Sequence, residues 1–68
     1  MKFQEACQAA YQKAVNDTIK SKRDCAIDLY LGGESQDIQV WNDGHIQFYS
    51  SWLHLQDLQS DGWEVEDD

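Results

Sequence analysis

Cys7 and Cys25 are the candidate nucleophiles of this chain. A catalytic thiol needs a neighbouring base and a site that lowers its pKa, and the sequence places neither beside these residues. A disulfide between them is also disfavoured. Cys7 lies about 18 Å from the end of a predicted helix at Ile19, and a bridge requires Cα atoms within about 7 Å. We therefore predict two buried, reduced thiols.

His45 and His54 are the candidate bases and metal ligands. They fall in different predicted elements, and no ligand motif accompanies them. Thirteen acidic residues make chance carboxylate pairs inevitable, but 68 residues leave little room for a pocket that would shift their pKa values. No Gly-rich phosphate loop is present. We predict a non-enzymatic protein with no catalytic residue, no metal site and no cofactor.

The charge is divided unequally along the chain. All five basic residues lie within the first 23 positions, whereas positions 24–68 carry eleven acidic residues and no Lys or Arg. The first segment therefore carries +3 and the second −11, which gives the net charge of −8. Such a field repels nucleic acids and membrane surfaces and attracts basic protein surfaces. We expect a protein partner with a basic surface, and no direct binding of nucleic acid or membrane.

The length permits one small domain, 1–68, which hides only about 60% of the surface that its unfolded chain exposes. The first residues lack the apolar run of a secretory signal, and the longest apolar stretch is only a few residues. These observations favour a cytoplasmic location.

The N-terminal segment predicts an amphipathic helix over residues 3 to 20, within a helical region 1–22. Apolar and small residues recur at helical spacing, with polar residues between them. The stripe consists of Phe3, Cys7, Ala10, Ala14 and Thr18, widened by Ala6, Tyr11, Val15 and Ile19. Lys20, Lys22 and Arg23 follow at its end, where cations suit the last carbonyl groups.

Residues 24–49 predict an antiparallel meander, because the apolar period changes from helical spacing to two. The three strands are expected at 25–31, 36–41 and 45–49. After them, Ser50 and Ser51 resemble helix caps, and Trp52, Leu55 and Leu58 follow at helical steps. Residues 50–68 are therefore read as a short helix with an acidic tail that allows a short edge strand.

The expected strand register follows from keeping like faces together. A three-residue loop over 42–44, with Gly44 in the left-handed conformation, pairs Val40 with Ile46 and Ile38 with Phe48. A four-residue loop over 32–35 pairs Leu29 with Ile38 and Ile27 with Val40. The fold class is thus α+β: an N-terminal helix packed on a three-stranded antiparallel meander, followed by a short helix and the optional edge strand.

This register leaves a face with three large aromatic side chains and no Lys or Arg on the side away from the helix. Its expected rows are Tyr30, Asp37 and Tyr49; Asp28, Gln39 and Gln47; Ala26, Trp41 and His45. Three explanations remain open: the C-terminal segment covers the face, the exposed rings are incidental, or the face binds a protein.

Protein binding is the reading that we expect. Carboxylates on this face, the second helix and the tail would substitute for phosphates on a basic, nucleic-acid-binding surface, with aromatic anchors between them. The expected contact residues are Asp28, Tyr30, Asp37, Trp41, Asp43, Tyr49, Asp57 and Glu64. In size and charge the chain resembles the small acidic inhibitors of phages and mobile elements, including DNA-mimic and anti-CRISPR proteins. The alternative is a homo-oligomer, with a homodimer as its simplest form, or an adaptor that associates through the sheet face or an edge strand.

Overall fold

A computed structural model describes residues 1–49 and 55–65. Its elements are helix α1 (Phe3–Ser21), strands β1 (Ala26–Leu31), β2 (Glu34–Trp41) and β3 (Ile46–Phe48), helix α2 (Leu55–Leu58) and strand β4 (Trp63–Val65). The strands form one antiparallel sheet in the order β3-β2-β1-β4. The predicted α+β class is confirmed, and the optional edge strand is present as β4. Neither described helix has the length and apolar character needed to cross a membrane.

Helix α1 packs on the sheet through a row of small side chains. Ala6, Ala10 and Ala14 are fully buried at four-residue spacing, so the helix backbone approaches the strands closely. The Lys2 backbone N–H donates to the Glu5 carboxylate at 3.1 Å, so this backbone donor at the N-terminus of the helix has a partner. Only part of the predicted apolar stripe packs against the sheet: the last turn of the helix buries no side chain, and Ile19 is 70% exposed.

The hairpin between β2 and β3 has the predicted register. Ile38 pairs with Phe48 and Val40 with Ile46. Gly44 has a φ of 95°, a conformation that favours glycine, and its N–H donates to the Trp41 carbonyl at 3.0 Å. The loop over 42–44 is therefore confirmed.

The hairpin between β1 and β2 differs from the prediction. Its turn is only Gly32 and Gly33, with φ values of 63° and 84°, because two glycines readily adopt the mirror-image turn that suits a right-twisted ribbon. Ile27 pairs with Val40 as expected, but Leu29 does not pair with Ile38. The predicted four-residue loop over 32–35 is therefore wrong.

Because the turn is shorter than predicted, β2 has two extra residues, and it accommodates them as a β-bulge. Asp28 pairs with Gln39 and Tyr30 with Ser35, so residues 36–38 lie opposite Leu29 alone. Asp37 has a φ of 55° there, which aspartate tolerates better than most residues. Because the register shifts by two residues, inward side chains stay inward.

Trp63 completes the core at the β4 edge. Its ring is fully buried and meets Phe3 edge-to-face at a centroid distance of 5.0 Å. Its indole Nε1–H donates to the Asp57 carbonyl at 2.7 Å, and its backbone N–H donates to the Met1 carbonyl at 2.9 Å. The other large core side chains are Ile27, Leu29, Ile38 and Val40. Trp63 thus joins the start of α1, α2 and β1 in one apolar cluster.

Candidate protein-binding surface

The outer face is the side of the sheet opposite α1. It consists of Ala26, Asp28 and Tyr30 from β1, Ser35, Asp37, Gln39 and Trp41 from β2, Gln47 from β3 and Glu64 from β4, with His45 and Tyr49 beside β3. Alternation along the strands places these side chains here, because the inward set packs against α1. Positions 24–68 contain no Lys or Arg, so this face carries only carboxylates as fixed charges.

Two of the three predicted rows are present. Asp28, Gln39 and Gln47 lie side by side across β1, β2 and β3. Ala26 pairs with Trp41, and the Trp41 N–H donates to the His45 carbonyl at 3.0 Å.

The third row is wrong for Tyr30. Tyr30 lies between Ser35 and Glu64 on the neighbouring strands, because the bulge displaces Asp37 from it. Asp37 remains next to Tyr49, whose backbone N–H donates to the Asp37 carbonyl at 2.9 Å. Because β4 pairs with β1, Glu64 rather than Asp37 is the carboxylate beside Tyr30.

The β1–β4 side of the outer face combines acidic groups with a phenol ring. Tyr30 is half-buried and pairs directly with the exposed Glu64. Asp28 is half-buried two residues earlier on the same strand. Tyr30, Gly33, Glu64 and Val65 line a shallow depression of about 260 Å³. Such a depression suits one side chain of a partner rather than a small substrate.

The hairpin end of the outer face carries a stacked pair of rings. Trp41 and His45 lie 5.5 Å apart between ring centroids with an interplanar angle of 11°. His45 contacts the Asp43 carboxylate through both its backbone N–H, at 3.0 Å, and its ring Nδ1, at 2.5 Å. The His45 backbone N–H, and after it the ring contact, lowers the pKa of Asp43 below its ordinary value of 3.8. Asp43 is therefore a carboxylate at neutral pH.

Trp41 also has a polar atom without a partner. Its indole Nε1 is buried, and within the described residues no acceptor lies in hydrogen-bonding range. A buried donor of this kind carries a desolvation cost that an acceptor would relieve.

The predicted contact residues do not all share one surface. Asp28, Tyr30, Asp37, Trp41, Tyr49 and Glu64 lie on the outer face or beside it, and Asp43 lies in the turn at its end. Asp57 lies in α2, and its carbonyl holds the inward-facing Trp63. Asp57 is therefore on the α1 side of the sheet.

The described C-terminal residues do not cover the outer face. Leu58 and Trp63 both pack with the core on the α1 side. Tyr49 is 62% exposed, and Gln47 and His45 are exposed with it. Coverage by Leu58 or Trp63 is therefore excluded, while Trp52 and His54 lie outside the described residues.

The two cysteines are free thiols, as predicted, although both are half-buried rather than buried. Burial raises the pKa of Cys7. Cys25 lies near Ser21, with 3.3 Å between its Sγ and the serine Oγ. Within residues 1–49 and 55–65, no three His, Cys, Asp or Glu side chains are grouped as a metal would require.

A second surface, between α1 and β3, was not predicted from the sequence. Ile46 and Phe48 face the α1 side of the sheet, yet they are 37% and 49% exposed. The available signal was the width of the sheet: one helix, about 10 Å across, is too narrow to cover four strands that lie about 4.8 Å apart.

No family model, no curated protein sequence and no solved structure matches this chain.

Proposed function

We propose that this chain is a non-catalytic binding module whose outer face docks on a basic surface of a partner protein, and that it competes there with nucleic acid as an inhibitor. The observation that carries the proposal is a sheet face with carboxylates and aromatic rings but without cations. The carboxylates are Asp28, Asp37 and Glu64, and the rings are those of Tyr30, Trp41 and Tyr49.

The spacing of the carboxylates supports this proposal. Glu64 pairs with Tyr30, so Asp28 is its diagonal neighbour at a separation of about 7–8 Å. Asp37 adds a third charge on the adjacent strand. A basic surface that neutralises several phosphates meets several negative groups at once on such a face. Association would be steered by charge and weakened by salt.

The aromatic rings supply the contact area that charges alone do not. Tyrosine and tryptophan provide large, rigid surfaces and dominate many protein interfaces. Tyr49 is 62% exposed, and the half-buried Trp41 ring stacks on the exposed His45. These rings would give a partner apolar contact area between the carboxylates.

The experiment captures proteins on the immobilised chain from a lysate of the cells that encode it. The retained proteins are identified and then competed with an excess of duplex DNA or RNA. We expect nucleic-acid-binding proteins that nucleic acid displaces. We also expect at least tenfold weaker binding at about 300 mM than at about 50 mM salt. Proteins whose retention is unaffected by nucleic acid and salt would overturn the proposal.

Charge reversal then locates the surface. The double variant Asp37→Lys/Glu64→Lys should lower affinity for the captured protein at least tenfold, because it places cations on the outer face. The matched control is Asp17→Lys/Asp24→Lys, which changes the net charge equally but lies on α1 and the segment after it. Equal losses in both variants would show that net charge, not this face, determines binding. Circular dichroism checks that both variants fold.

A further inference from the structure

Strand β3 is an open edge with an uncovered apolar side. It is the terminal strand of the sheet in the described chain. Helix α1 packs mainly on β1, β2 and β4. The inward side chains Ile46 and Phe48 are therefore left 37% and 49% exposed.

A groove runs between this side of β3 and the helix. It has a volume of about 340 Å³. Its lining is made by Gln4, Cys7, Gln8, Tyr11, Val40, Gly44 and Ile46. Tyr11 approaches the hairpin so closely that an added Cβ at Gly44 would lie 3.9 Å from its ring. The groove is thus lined mostly by apolar atoms and lies beside an exposed backbone edge.

The backbone edge of β3 is self-complementary. Trp41 donates to the His45 carbonyl and Tyr49 donates to the Asp37 carbonyl. Bonded pairs alternate along an antiparallel ladder, so the pair between these two is Gln39 with Gln47. The N–H and C=O groups of Ile46 and Phe48 therefore point away from β2.

The absence of charged side chains along β3 favours a second copy of this chain over a basic partner at this edge. Residues 44–49 carry no Lys, Arg, Asp or Glu, and neither do the positions of α1 that line the groove. A basic partner finds no counter-charge here. A second copy of a chain with net charge −8 would be repelled at most of its acidic surface, and this edge lets it approach without placing carboxylates face to face.

We propose that two copies of this chain pair through β3 as antiparallel edge strands, related by a twofold axis at Gln47. Ile46 of each copy then lies opposite Phe48 of the other, which forms four backbone hydrogen bonds. Ile46 and Phe48 from both copies meet on the α1 side and fill the mouth of the two grooves. Because the axis is perpendicular to the sheet, both outer faces lie on the same side of an eight-stranded sheet.

The salt dependence of this pairing has the opposite sign to that of the proposed partner binding. Two copies of equal negative charge repel over about 30 Å at 10 mM salt but only about 8 Å at 150 mM. Added salt therefore strengthens the dimer and weakens binding to a basic partner. The two proposals can consequently fail independently.

Sedimentation equilibrium tests the pairing across about 5 to 500 μM protein, a range chosen because a short edge interface should give micromolar affinity. We expect the mass to rise from 7.9 kDa towards twice that value, and to rise further with salt. Phe48→Lys should keep the monomer mass. The control Ile19→Lys changes another exposed apolar residue by the same charge and should still dimerise. A wild-type chain that stays monomeric throughout would overturn the proposal.

A crosslink tests the register directly. Gln47 of the two copies would face each other as a non-hydrogen-bonded pair with Cα atoms about 4.5 Å apart, within the disulfide range. Gln47→Cys should form a covalent dimer with oxidised glutathione at concentrations where wild type does not. The control Ser35→Cys is also exposed on the outer face but lies on β2. Equal crosslinking by both variants would contradict the proposed axis.

Discussion

At the scale of single residues, the Asp43–His45 contact organises the end of the outer face. The backbone N–H of His45 fixes the Asp43 carboxylate within the turn, and the ring contact holds His45 against Trp41. The first cause of the lowered pKa of Asp43 is the backbone group, which belongs to the turn rather than to the histidine side chain. Turn geometry therefore fixes a charge that a binding partner would meet.

The hydrogen bond from the His45 backbone N–H predicts a lowered pKa for Asp43 that does not require the imidazole. A folded-state pKa below the unfolded value gives stability that is present above the unfolded pKa and is lost as pH falls through the folded one. We expect the Asp43 carboxyl carbon to titrate by NMR with a midpoint below 3.8. In His45→Ala the midpoint should stay lowered, because alanine retains the backbone N–H. A return to 3.8 in that variant would show that the imidazole is the main cause.

At the scale of elements, the two hairpins differ in turn length and in the number of glycines with positive φ. The β2–β3 loop has one residue that requires positive φ, Gly44, and its register follows from matching apolar faces. The β1–β2 turn has two such glycines in succession, which makes a two-residue turn favourable. The strand lengths then no longer match, and β2 accommodates the excess as a bulge at Asp37.

Alanine substitution should destabilise the protein more at Gly33, which lies in the tight turn, than at Gly62. Gly33→Ala should lower the free energy of unfolding by about 1 kcal/mol, because an alanine at a φ of 84° is strained. Gly62→Ala should cost less, since Gly62 has no positive φ and its added Cβ meets only side-chain atoms, Leu31 Cδ1 at 3.4 Å and Ser60 Oγ at 3.5 Å. Urea denaturation of both variants measures the difference. Equal losses would mean that the turn does not need its positive φ.

At the scale of the whole molecule, Trp63 joins the two ends of the described chain. It packs on Phe3, binds the Asp57 carbonyl and pairs through β4 with Leu31. A domain of this size has a thin core, so one large side chain supplies a large share of its apolar burial.

Replacement of Trp63 should therefore unfold much of the population. Trp63→Ala is expected to cost about 3–5 kcal/mol, which is close to the whole stability of a small domain. Trp41→Ala removes a half-buried indole from the outer face and should cost markedly less. Thermal unfolding followed by circular dichroism compares the two. Similar losses would contradict the central position of Trp63.

The features that the sequence determined are local or periodic. The helical stripe of α1, the alternation in β1 and β2, and the loop before His45 depend on neighbours within a few residues, so their types and most of their pairings follow from the pattern. The uneven charge is also a property of the sequence alone. Six of the eight expected contact residues consequently lie on or beside the outer face.

The tertiary structure decided what depends on distant residues. Whether Gly32 and Gly33 form a tight turn with a bulge, or a longer loop without one, depends on how the whole ladder aligns. Trp63 occupies the core because β4 pairs with β1. Asp57 lies on the α1 side because its carbonyl accepts a hydrogen bond from the Trp63 indole. The inward side chains of β3 stay exposed because a single helix is too narrow to cover a four-stranded sheet. None of these relations is encoded within a short window of sequence.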